Sequence, residues 1–371
     1  MKIAILTQPL RYNYGGILQN FALQTVLKRM GHKVVTLDPK RYRYTWWQYL
    51  RYSLQHFIGR YIKGHRHTVV FEEWEKDKPM RTMGRHTFSF INHYIRRKEY
   101  TDLSQDIHSK DYDAYIVGSD QVWRPEYNPN LLNMFLDFTS GWDVKRVAYA
   151  ASFGVDTWSQ PHEVTVKCSD LFKNFNWISV REDSGVALCR DVFDVEATHV
   201  LDPTLLLTKE DYISILKLNK VKKSDGNLLV YILDYTNEIE ETIEQIAEEK
   251  NLVPFRVNSD VEDIKIEDIN QKIQPPVEQW VRGFYDAGYV ITDSFHACVF
   301  SIIFNKPFVL FINNYRGSSR FQSLFQQLSL NELVKSKVGN CIVFNKPTPE
   351  VVCKLTQLRK TSLNWLNDAL L

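Results

Sequence analysis

The sequence predicts an α/β protein with two Rossmann-like domains that face a cleft, followed by a C-terminal helix. Short apolar runs typical of strands alternate with helix-like stretches, and these runs lack the period-two polarity of half-exposed strands. A polar, lysine-rich stretch (KLNKVKKSDGN) interrupts the alternation, which then restarts. Because strands of this kind form parallel sheets covered on both faces, the pattern indicates two such sheets.

The first predicted domain spans residues 1–207 and begins with the strand Lys2–Thr7. The helix Ile17–Met30 follows with apolar residues at helical spacing, and it ends at Gly31. Five further strands are expected here, at Lys33–Asp38, Ala114–Ser119, Arg146–Ser152, Trp177–Val180 and His199–Asp202. Ligands of such sheets bind at the carboxyl ends of the strands, so a site is expected in the loops that follow them.

Residues 208–227 are the predicted linker, and residues 228–350 are the second predicted domain. Four strands and one acidic helix are expected in that domain, at Leu228–Leu233, Val253–Asn258, Tyr289–Thr292, Pro307–Phe311 and, for the helix, Glu238–Lys250. Residues 351–371 form the predicted C-terminal helix. With two domains of this type, a ligand is expected in the cleft between them.

The composition is that of an ordinary globular protein and excludes several other classes. Hydrophobic residues make up 44% of the 371 residues and charged residues 24%, which argues against disorder, collagen and coiled coil. The longest apolar stretches, such as Ala297–Phe304, are far shorter than the roughly 20 residues of a membrane span. The five cysteines contain no CxxC pair, and the N-terminus leads directly into a strand. We therefore expect a soluble protein of the reducing cytoplasm.

Two loops of the first domain carry groups suited to a ligand. The turn Asn13-Tyr14-Gly15-Gly16 precedes the first helix, where glycines let a ligand approach and the helix terminus offers N–H groups. Just after a buried strand, Asp120 is placed to orient a hydroxyl and Trp123 to stack on a sugar ring. The alternatives are a plain turn between strand and helix for the first loop, and a capping role for Asp120.

Two other loops offer arginines to an anion. Arg181 follows a strand and can form two parallel bonds to a phosphate or carboxylate, and the alternative is a salt bridge to Glu182 or Asp183. The loop 313–320 combines arginines and serines, notably Arg316, Ser318 and Arg320. Its alternative is an ordinary solvated surface loop.

The last candidate is His296, which follows Ser294 at the junction of a strand and an apolar helix. The helix dipole there lowers the pKa of a histidine and favours anions, and the neighbouring Asp293 favours a functional over a structural histidine. His65 and His67 come nearest to metal-ligand spacing but have no acidic or cysteine partner beside them, and no GxSxG or Cys/His signature occurs. The residues therefore predict a metal-independent site for an anionic small molecule between two α/β domains.

Seven segments, in order from residue 2 to residue 321, resemble the polysaccharide pyruvyl transferase family. They are KIAILTQPLRYNYGGILQNFALQTVLKRMGHKV, YDAYIVGSDQVWRP, VAYAASFG, WISVREDSG, VLDPTLLL, YVITDSFHACVFSIIFNKPFV and RGSSRF. The resemblance implies transfer of pyruvate from phosphoenolpyruvate to a sugar as a cyclic ketal, with release of phosphate. The sugar would belong to a cell-surface polysaccharide or its lipid-linked precursor, and the implied fold is similar to the GT-B glycosyltransferases.

The resemblance also implies roles for individual residues, with Arg181 matching the family's catalytic arginine and His296 its catalytic histidine. Donor contacts are expected from both of these and from Ser294, Arg316, Ser318 and Arg320. By analogy with GT-B enzymes, acceptor contacts are expected from Asn13, Tyr14, Gly15, Gly16, Asp120 and Trp123. Phosphoenolpyruvate is a substrate, so no cofactor is expected.

Two other functions fit the same fold. One is a GT-B glycosyltransferase that uses a nucleotide sugar, but the sequence has no obvious glutamate at a ribose-contact position. The other is a non-catalytic sugar-binding protein, which has no need of the proton-transferring group that His296 provides beside Arg181.

Residues 40–67 form a basic aromatic island with seven Lys or Arg, no Asp or Glu, and eight aromatic residues. The rest of the chain is mildly acidic, so the charge balance predicts no nucleic-acid partner. Aromatic residues beside Lys and Arg favour the surface of an anionic membrane. We hypothesise a peripheral contact at the inner face of the membrane that brings the site to a lipid-linked sugar. The alternative is a helical insertion that packs its aromatic residues on the first domain.

Overall fold

The computed structural model describes residues 1–40, 81–216, 220–259, 268–312, 319–338 and 341–371. Within these ranges the first sheet has seven strands: β1 Lys2–Leu6, β2 Lys33–Pro39, β3 Arg97–Tyr100, β4 Ala114–Val117, β5 Lys145–Ala151, β6 Trp177–Val180 and β7 Thr198–His199. All are parallel, in the order β3-β2-β1-β4-β5-β6-β7. Every residue of the central strand β4 is buried, which explains why the strands lack period-two polarity.

The α-helices between and after these strands are α1 Tyr14–Arg29, α2 Arg85–Tyr94, α3 Leu103–Asp106, α4 His162–Phe172, α5 Asp183–Phe193, α6 Pro203–Leu206 and α7 Lys209–Leu216. α1 begins earlier than Ile17, because the Asn13 side chain caps it by accepting a hydrogen bond from the Gly16 N–H. β7 ends before Asp202, since that side chain instead caps α6 by accepting from the Thr204 N–H. α7 lies inside residues 208–227, the predicted linker.

The second sheet, again counting the described residues, has six strands: β8 Leu228–Tyr231, β9 Pro254–Phe255, β10 Tyr289–Thr292, β11 Phe308–Phe311, β12 Val334–Val338 and β13 Cys341–Phe344. Their order is β12-β13-β11-β10-β8-β9, parallel from β9 to β11 and antiparallel at the β13 and β12 edge. The remaining helices are α8 Asn237–Lys250, α9 Val277–Asp286, α10 Phe295–Ile303, α11 Ser319–Leu328 and α12 Pro349–Leu370.

The C-terminal helix α12 returns to the first domain. Its Ser362 hydroxyl accepts a hydrogen bond from the Leu201 N–H at 3.0 Å, and Arg359 donates to the Leu205 carbonyl at 2.8 Å. The predicted fold class is thus confirmed: two Rossmann-like sheets, a cleft between them and a C-terminal helix, in a GT-B-like arrangement. In the part of the chain that the structure describes, no helix has the length and apolar character needed to cross a membrane.

Candidate active site

A cavity of about 490 Å³ lies between the two domains, where loops from both sheets converge. The first domain contributes residues that follow β1 and β4, among them Gln8, Arg11, Asn13, Tyr14 and Asp120. The second domain contributes residues from the ends of β8 and β10 and from α11, among them Tyr231, Ser294, Phe295, His296 and Arg320. Six of the predicted site residues therefore meet in one cleft at the carboxyl ends of the strands: Asn13, Tyr14, Asp120, Ser294, His296 and Arg320.

His296 lies in the first turn of α10, two residues after Ser294 at the N-cap. The residue is 8% exposed, and its Nε2 is fully enclosed without a hydrogen-bond partner among the described residues. The nearest carboxylate oxygen, Oδ2 of Asp202, lies 3.8 Å from Nε2, beyond hydrogen-bond length. Burial lowers the pKa of His296, and the carboxylates of Asp202 and Asp120 offset this only in part. His296 is therefore neutral at pH 7.

The opposite edge of the imidazole faces the first turn of α1. A Cβ placed on Gly15 would lie 2.1 Å from Nδ1 of His296, so only glycine leaves room for the ring there. The neighbouring Gly16 has no such constraint, since its Cβ would meet Oδ2 of Asp120 at 3.7 Å, an ordinary contact. Neither glycine is among the described residues that line the cavity. Both affect the cleft only through the first turn of α1, in which they lie.

Arg181 lies beneath the cavity, and its side chain is 1% exposed. Its guanidinium donates to Oδ2 of Asp202 at 2.8 Å and to Oδ1 of Asp120 at 3.0 Å, and Oε2 of Glu182 lies 3.8 Å from its Nε. Burial acts to lower the pKa of Arg181, but the three carboxylates outweigh it and raise that pKa, so the group is permanently charged.

This network changes the role expected for Arg181. Its donors are directed at carboxylates of the protein, and it is not among the described residues that line the cavity. Arg181 is therefore held by carboxylates of the protein, whereas the predicted contact with a substrate anion would need a guanidinium that faces the cavity. It neutralises Asp120 and Asp202, and both carboxyl pKa values are lowered despite their burial. The structure agrees better with the alternative of a salt bridge, although the main partners, Asp120 and Asp202, are distant from Arg181 in sequence.

Asp120 lines the cavity with its backbone in the left-handed region, at φ +78°. This conformation costs a non-glycine residue about 1–3 kcal/mol and persists only where the surroundings enforce it. Here the Asp120 carbonyl accepts hydrogen bonds from the Val122 and Ser152 N–H groups at 2.7 and 3.1 Å. With the backbone held in this conformation and Oδ1 bonded to Arg181, the carboxylate has a fixed direction at the cavity.

Arg320, in the first turn of α11, is the arginine of the second domain that faces the cavity among the described residues. Its guanidinium lies 5.4 Å from the centre of the Phe295 ring, which also contacts the guanidinium of Arg181 at 5.2 Å. Burial and the nearby Arg181 lower the pKa of Arg320 to about 10, so it remains charged at neutral pH. It is the cation best placed to meet an anionic substrate.

Trp123 does not reach the cavity. It is 0% exposed, its indole N–H donates to the Met134 carbonyl at 3.0 Å, and its ring packs against Phe135, Phe153 and Phe172. The prediction that Trp123 stacks on a sugar is therefore wrong, because the described neighbours enclose the ring on all sides. A sequence cannot distinguish an aromatic residue that turns inward after a strand from one that turns outward.

Tyr14 lines the cavity but also joins the two domains. Its ring stacks on Trp280 with centroids 5.6 Å apart, and its hydroxyl donates to the Pro275 carbonyl at 2.8 Å. This packing fixes the turn that was predicted to contact the acceptor. Arg316 and Ser318 lie outside the described residues, as do residues 41–67 of the basic aromatic island.

Sequence reasoning missed Asp202 as a site residue. Its carboxylate connects Arg181 to His296, and it lies in the segment VLDPTLLL, where an Asp-Pro pair after a strand signals a helix cap. That signal predicts the cap formed by Oδ1 of Asp202. It does not predict that Oδ2 lies beside Arg181 and His296, which are distant in sequence. Across the described ranges, no three His, Cys, Asp or Glu side chains are grouped so that they could hold a metal ion.

Comparison with known proteins identifies the class. The family model for polysaccharide pyruvyl transferases matches residues 13–315, so the chain belongs to the polysaccharide pyruvyl transferase family, as its motifs predict. Membership makes it a transferase and implies a sugar acceptor. A comparison with curated protein sequences finds no match to this chain.

Solved structures similar to this chain include nucleotide-sugar enzymes. The UDP-GlcNAc 2-epimerase from Methanocaldococcus jannaschii is 12% identical, with a TM-score of 0.48, over 98% of this chain and 93% of that one. The UDP-GlcNAc 2-epimerase from Neisseria meningitidis, bound to UDP-GlcNAc, is 10% identical, with a TM-score of 0.47, over 100% and 94%. UGT89C1 from Arabidopsis thaliana, complexed with UDP, is 10% identical, with a TM-score of 0.46, over 98% and 94%.

Proposed function

We propose that the chain transfers pyruvate from phosphoenolpyruvate to a sugar of a cell-surface polysaccharide or its lipid-linked precursor, forming a cyclic ketal and releasing phosphate. The observation that carries the proposal is one cavity lined by a buried cation, a neutral histidine and a fixed carboxylate. These are Arg320 and His296 from the second domain and Asp120 from the first. We further propose that the second domain binds the donor and the first domain the acceptor.

Each group matches a need of the donor. Phosphoenolpyruvate carries a phosphate and a carboxylate, which Arg320 and the N-terminus of α10 at Ser294 attract. These negative charges stabilise a protonated His296, so we expect the donor to bind with uptake of one proton at that residue. The pyruvyl group arrives already activated by its phosphate ester, so the reaction as proposed uses no cofactor.

In the proposed reaction, protonated His296 first gives its proton to the methylene carbon of phosphoenolpyruvate. The double-bond electrons form the new C–H bond, which leaves the central carbon electrophilic. A sugar hydroxyl, oriented by Asp120, attacks that carbon and returns a proton to His296. The C–O bond to phosphate then breaks with its electron pair. A second hydroxyl of the same sugar closes the ketal, and its proton leaves with the phosphate. Proton transfer by a positioned group contributes about 10²–10⁴-fold in rate.

The first experiment is a thermal shift with phosphoenolpyruvate against a panel of UDP- and GDP-sugars. At 100 times its Kd, the donor is expected to stabilise the protein by about 2.7 kcal/mol. Arg320→Gln should remove this stabilisation. Arg190→Gln is the matched control, because Arg190 is an exposed arginine on α5 that pairs with Asp191 at the surface.

Two results of that experiment contradict the proposal. Stabilisation by a nucleotide sugar alone would favour a glycosyltransferase instead. Stabilisation by phosphoenolpyruvate without phosphate release, in the presence of a panel of sugar acceptors, would favour a non-catalytic binding protein.

The basic aromatic island extends the proposal to location, on the evidence of its sequence. We propose a cytoplasmic protein whose residues 40–67 bind anionic lipid at the inner face of the membrane, where a lipid-linked acceptor would be reached. Sedimentation with vesicles that contain anionic lipid tests this, with a variant lacking residues 40–67 as the comparison. Binding that the deletion leaves unchanged, or no binding at all, would contradict it.

A further inference from the structure

The carboxylate of Asp202 is held in one orientation by bonds to both of its oxygens. Oδ1 accepts from the Thr204 N–H at 3.0 Å and from the Thr204 hydroxyl at 2.6 Å. Oδ2 accepts from Arg181 at 2.8 Å, and the Ser119 hydroxyl, which donates to the Ala150 carbonyl at 2.9 Å, lies 3.4 Å from it. Asp202 is buried, and the edge of Oδ2 that remains points to Nε2 of His296. Bonds of this kind fix the rotamer of a side chain, so Oδ2 presents a constant negative charge to the histidine.

We propose that Asp202 is a positioning residue that sets the tautomer of His296, with the proton on Nε2, so that Nδ1 is the nitrogen that exchanges a proton with the substrate. The assignment of the tautomer stands on its own, and the role of Nδ1 in turnover rests on the proposed function. Asp202 is absent from the described residues that line the cavity, so it acts through His296 rather than on the substrate.

The tautomer follows from the enclosed geometry of Nε2. A neutral imidazole has one N–H and one lone pair, and an ionised carboxylate only accepts hydrogen bonds. With the proton on Nδ1, the Nε2 lone pair would face Oδ2 in a buried site, and two acceptors would repel each other. With the proton on Nε2, the N–H faces Oδ2 at 3.8 Å, a separation that closure around a substrate can shorten. Nδ1 lies on the edge of the ring that packs closely against Gly15, and unlike Nε2 it is not among the enclosed nitrogens that lack a partner. Its lone pair is then the one left for a ligand in the cavity that His296 lines.

The other charged groups around His296 do not compete with Asp202 for contact with Nε2. Asp120 after β4, Arg181 after β6 and Arg320 on α11 act on the ring electrostatically. Asp202 is the carboxylate within 4 Å of Nε2 among the described residues. The charge of Arg181 and the hydrogen bonds from Thr204 favour the ionised state of Asp202 against burial, and this is the state that the arrangement requires.

The direct test measures the tautomer in the protein as it is, without substrate. Two-dimensional ¹H–¹⁵N spectra of the histidine side chains, with His296 assigned by its absence in His296→Gln, distinguish the two neutral tautomers by their coupling patterns. We expect the pattern of an Nε2-protonated ring. The pattern of an Nδ1-protonated ring would overturn the proposal. Because no turnover is involved, this result is independent of whether phosphoenolpyruvate is the donor.

A pair of variants tests the consequence for turnover. Asp202→Asn keeps the shape but places a donor or a neutral acceptor opposite Nε2, and we expect kcat to fall by about 10²–10⁴-fold with little change in the KM for phosphoenolpyruvate. The pH profile should shift to lower pH, because the lost carboxylate had raised the pKa of His296. Glu182→Gln is the control, since Glu182 is also a buried carboxylate beside Arg181 but is not among the groups that shift the pKa of His296.

The comparison between the variants decides the role of Asp202. A pH profile displaced in Asp202→Asn and unchanged in Glu182→Gln supports the positioning role. Equal losses of kcat in both variants, with no displacement of either profile, would make Asp202 only a structural partner of Arg181. Should Asp202→Asn fail to fold, the tautomer of the unmodified protein still decides the proposal.

Discussion

Replacing Gly15 with alanine tests whether the position of the His296 ring controls the rate. The new Cβ would lie 2.1 Å from Nδ1 and 2.5 Å from Cγ of His296, whereas ordinary contacts begin at 3.4 Å. The ring must therefore move by about 1.3 Å, the difference between 3.4 Å and 2.1 Å. A displacement of this size at a reacting group costs about 10²-fold in rate, so we expect kcat to fall by at least that factor.

The same substitution should lower stability only modestly, because two effects oppose each other. Alanine is favoured over glycine within a helix by about 1 kcal/mol. The added methyl group overpacks the buried His296 ring, which costs about 1–3 kcal/mol. The net loss of about 0–2 kcal/mol should leave Gly15→Ala folded, so a melt run beside the assay separates loss of geometry from loss of folding.

The assay is phosphate release from phosphoenolpyruvate with a panel of sugar acceptors, run beside a thermal melt. Gly16→Ala is the matched control, since it adds the same methyl group one residue further along α1 but meets its nearest atom at 3.7 Å. We expect Gly16→Ala to retain most of the activity. If Gly15→Ala were as active as Gly16→Ala, the placement of His296 against α1 would not matter for turnover.

Three other variants give expected outcomes. Arg181→Ala leaves the buried Asp120 and Asp202 without their cation, so urea unfolding should show a loss of about 3–5 kcal/mol, and an unchanged midpoint would contradict the network. Trp123→Phe should cost about 1–3 kcal/mol through its lost bond to a backbone carbonyl, with no change in the KM for acceptor. His296→Ala should abolish turnover while circular dichroism shows an intact fold; activity in that folded variant would remove His296 from the mechanism. Folding lowers the pKa of His296, so the unfolded state binds its proton first as the pH falls. The contribution of this residue to stability is therefore complete above about pH 6.5 and is lost at lower pH. His296→Gln should reduce this dependence of the unfolding free energy on pH, measured by urea titrations.

The fold could be predicted because its central strands are buried on both faces. The strands Trp177–Val180 and Tyr289–Thr292 have the predicted bounds, since a short apolar run between polar residues has little freedom in where it begins. The antiparallel edge formed by β12 and β13 was not predicted, because β12 (VKSKV) carries too many polar residues to stand out and the apolar β13 (CIVF) is only four residues long. Edges of sheets depend on tertiary pairing that a local pattern does not contain.

The candidate site was predictable only where one loop contains the whole signal. His296 and Ser294 lie together at the start of a helix, and the structure puts both in the cavity. The environment of Arg181 was not predictable, because its partner Asp120 is 61 residues away and Asp202 is 21 residues away. An arginine at the end of a strand has the same sequence signal whether it faces a substrate or a buried carboxylate.

The stacking of Tyr14 on Trp280 has a consequence for how the molecule melts. Both rings belong to a single apolar cluster that includes Ile5 of β1 and Phe300 of α10. Separating the two domains would expose the apolar side chains of that cluster to water. The two sheets are therefore expected to unfold together and to give one calorimetric transition. A ligand held by Arg320 alone would then slow amide exchange in β1 of the opposite half, with no contact to it.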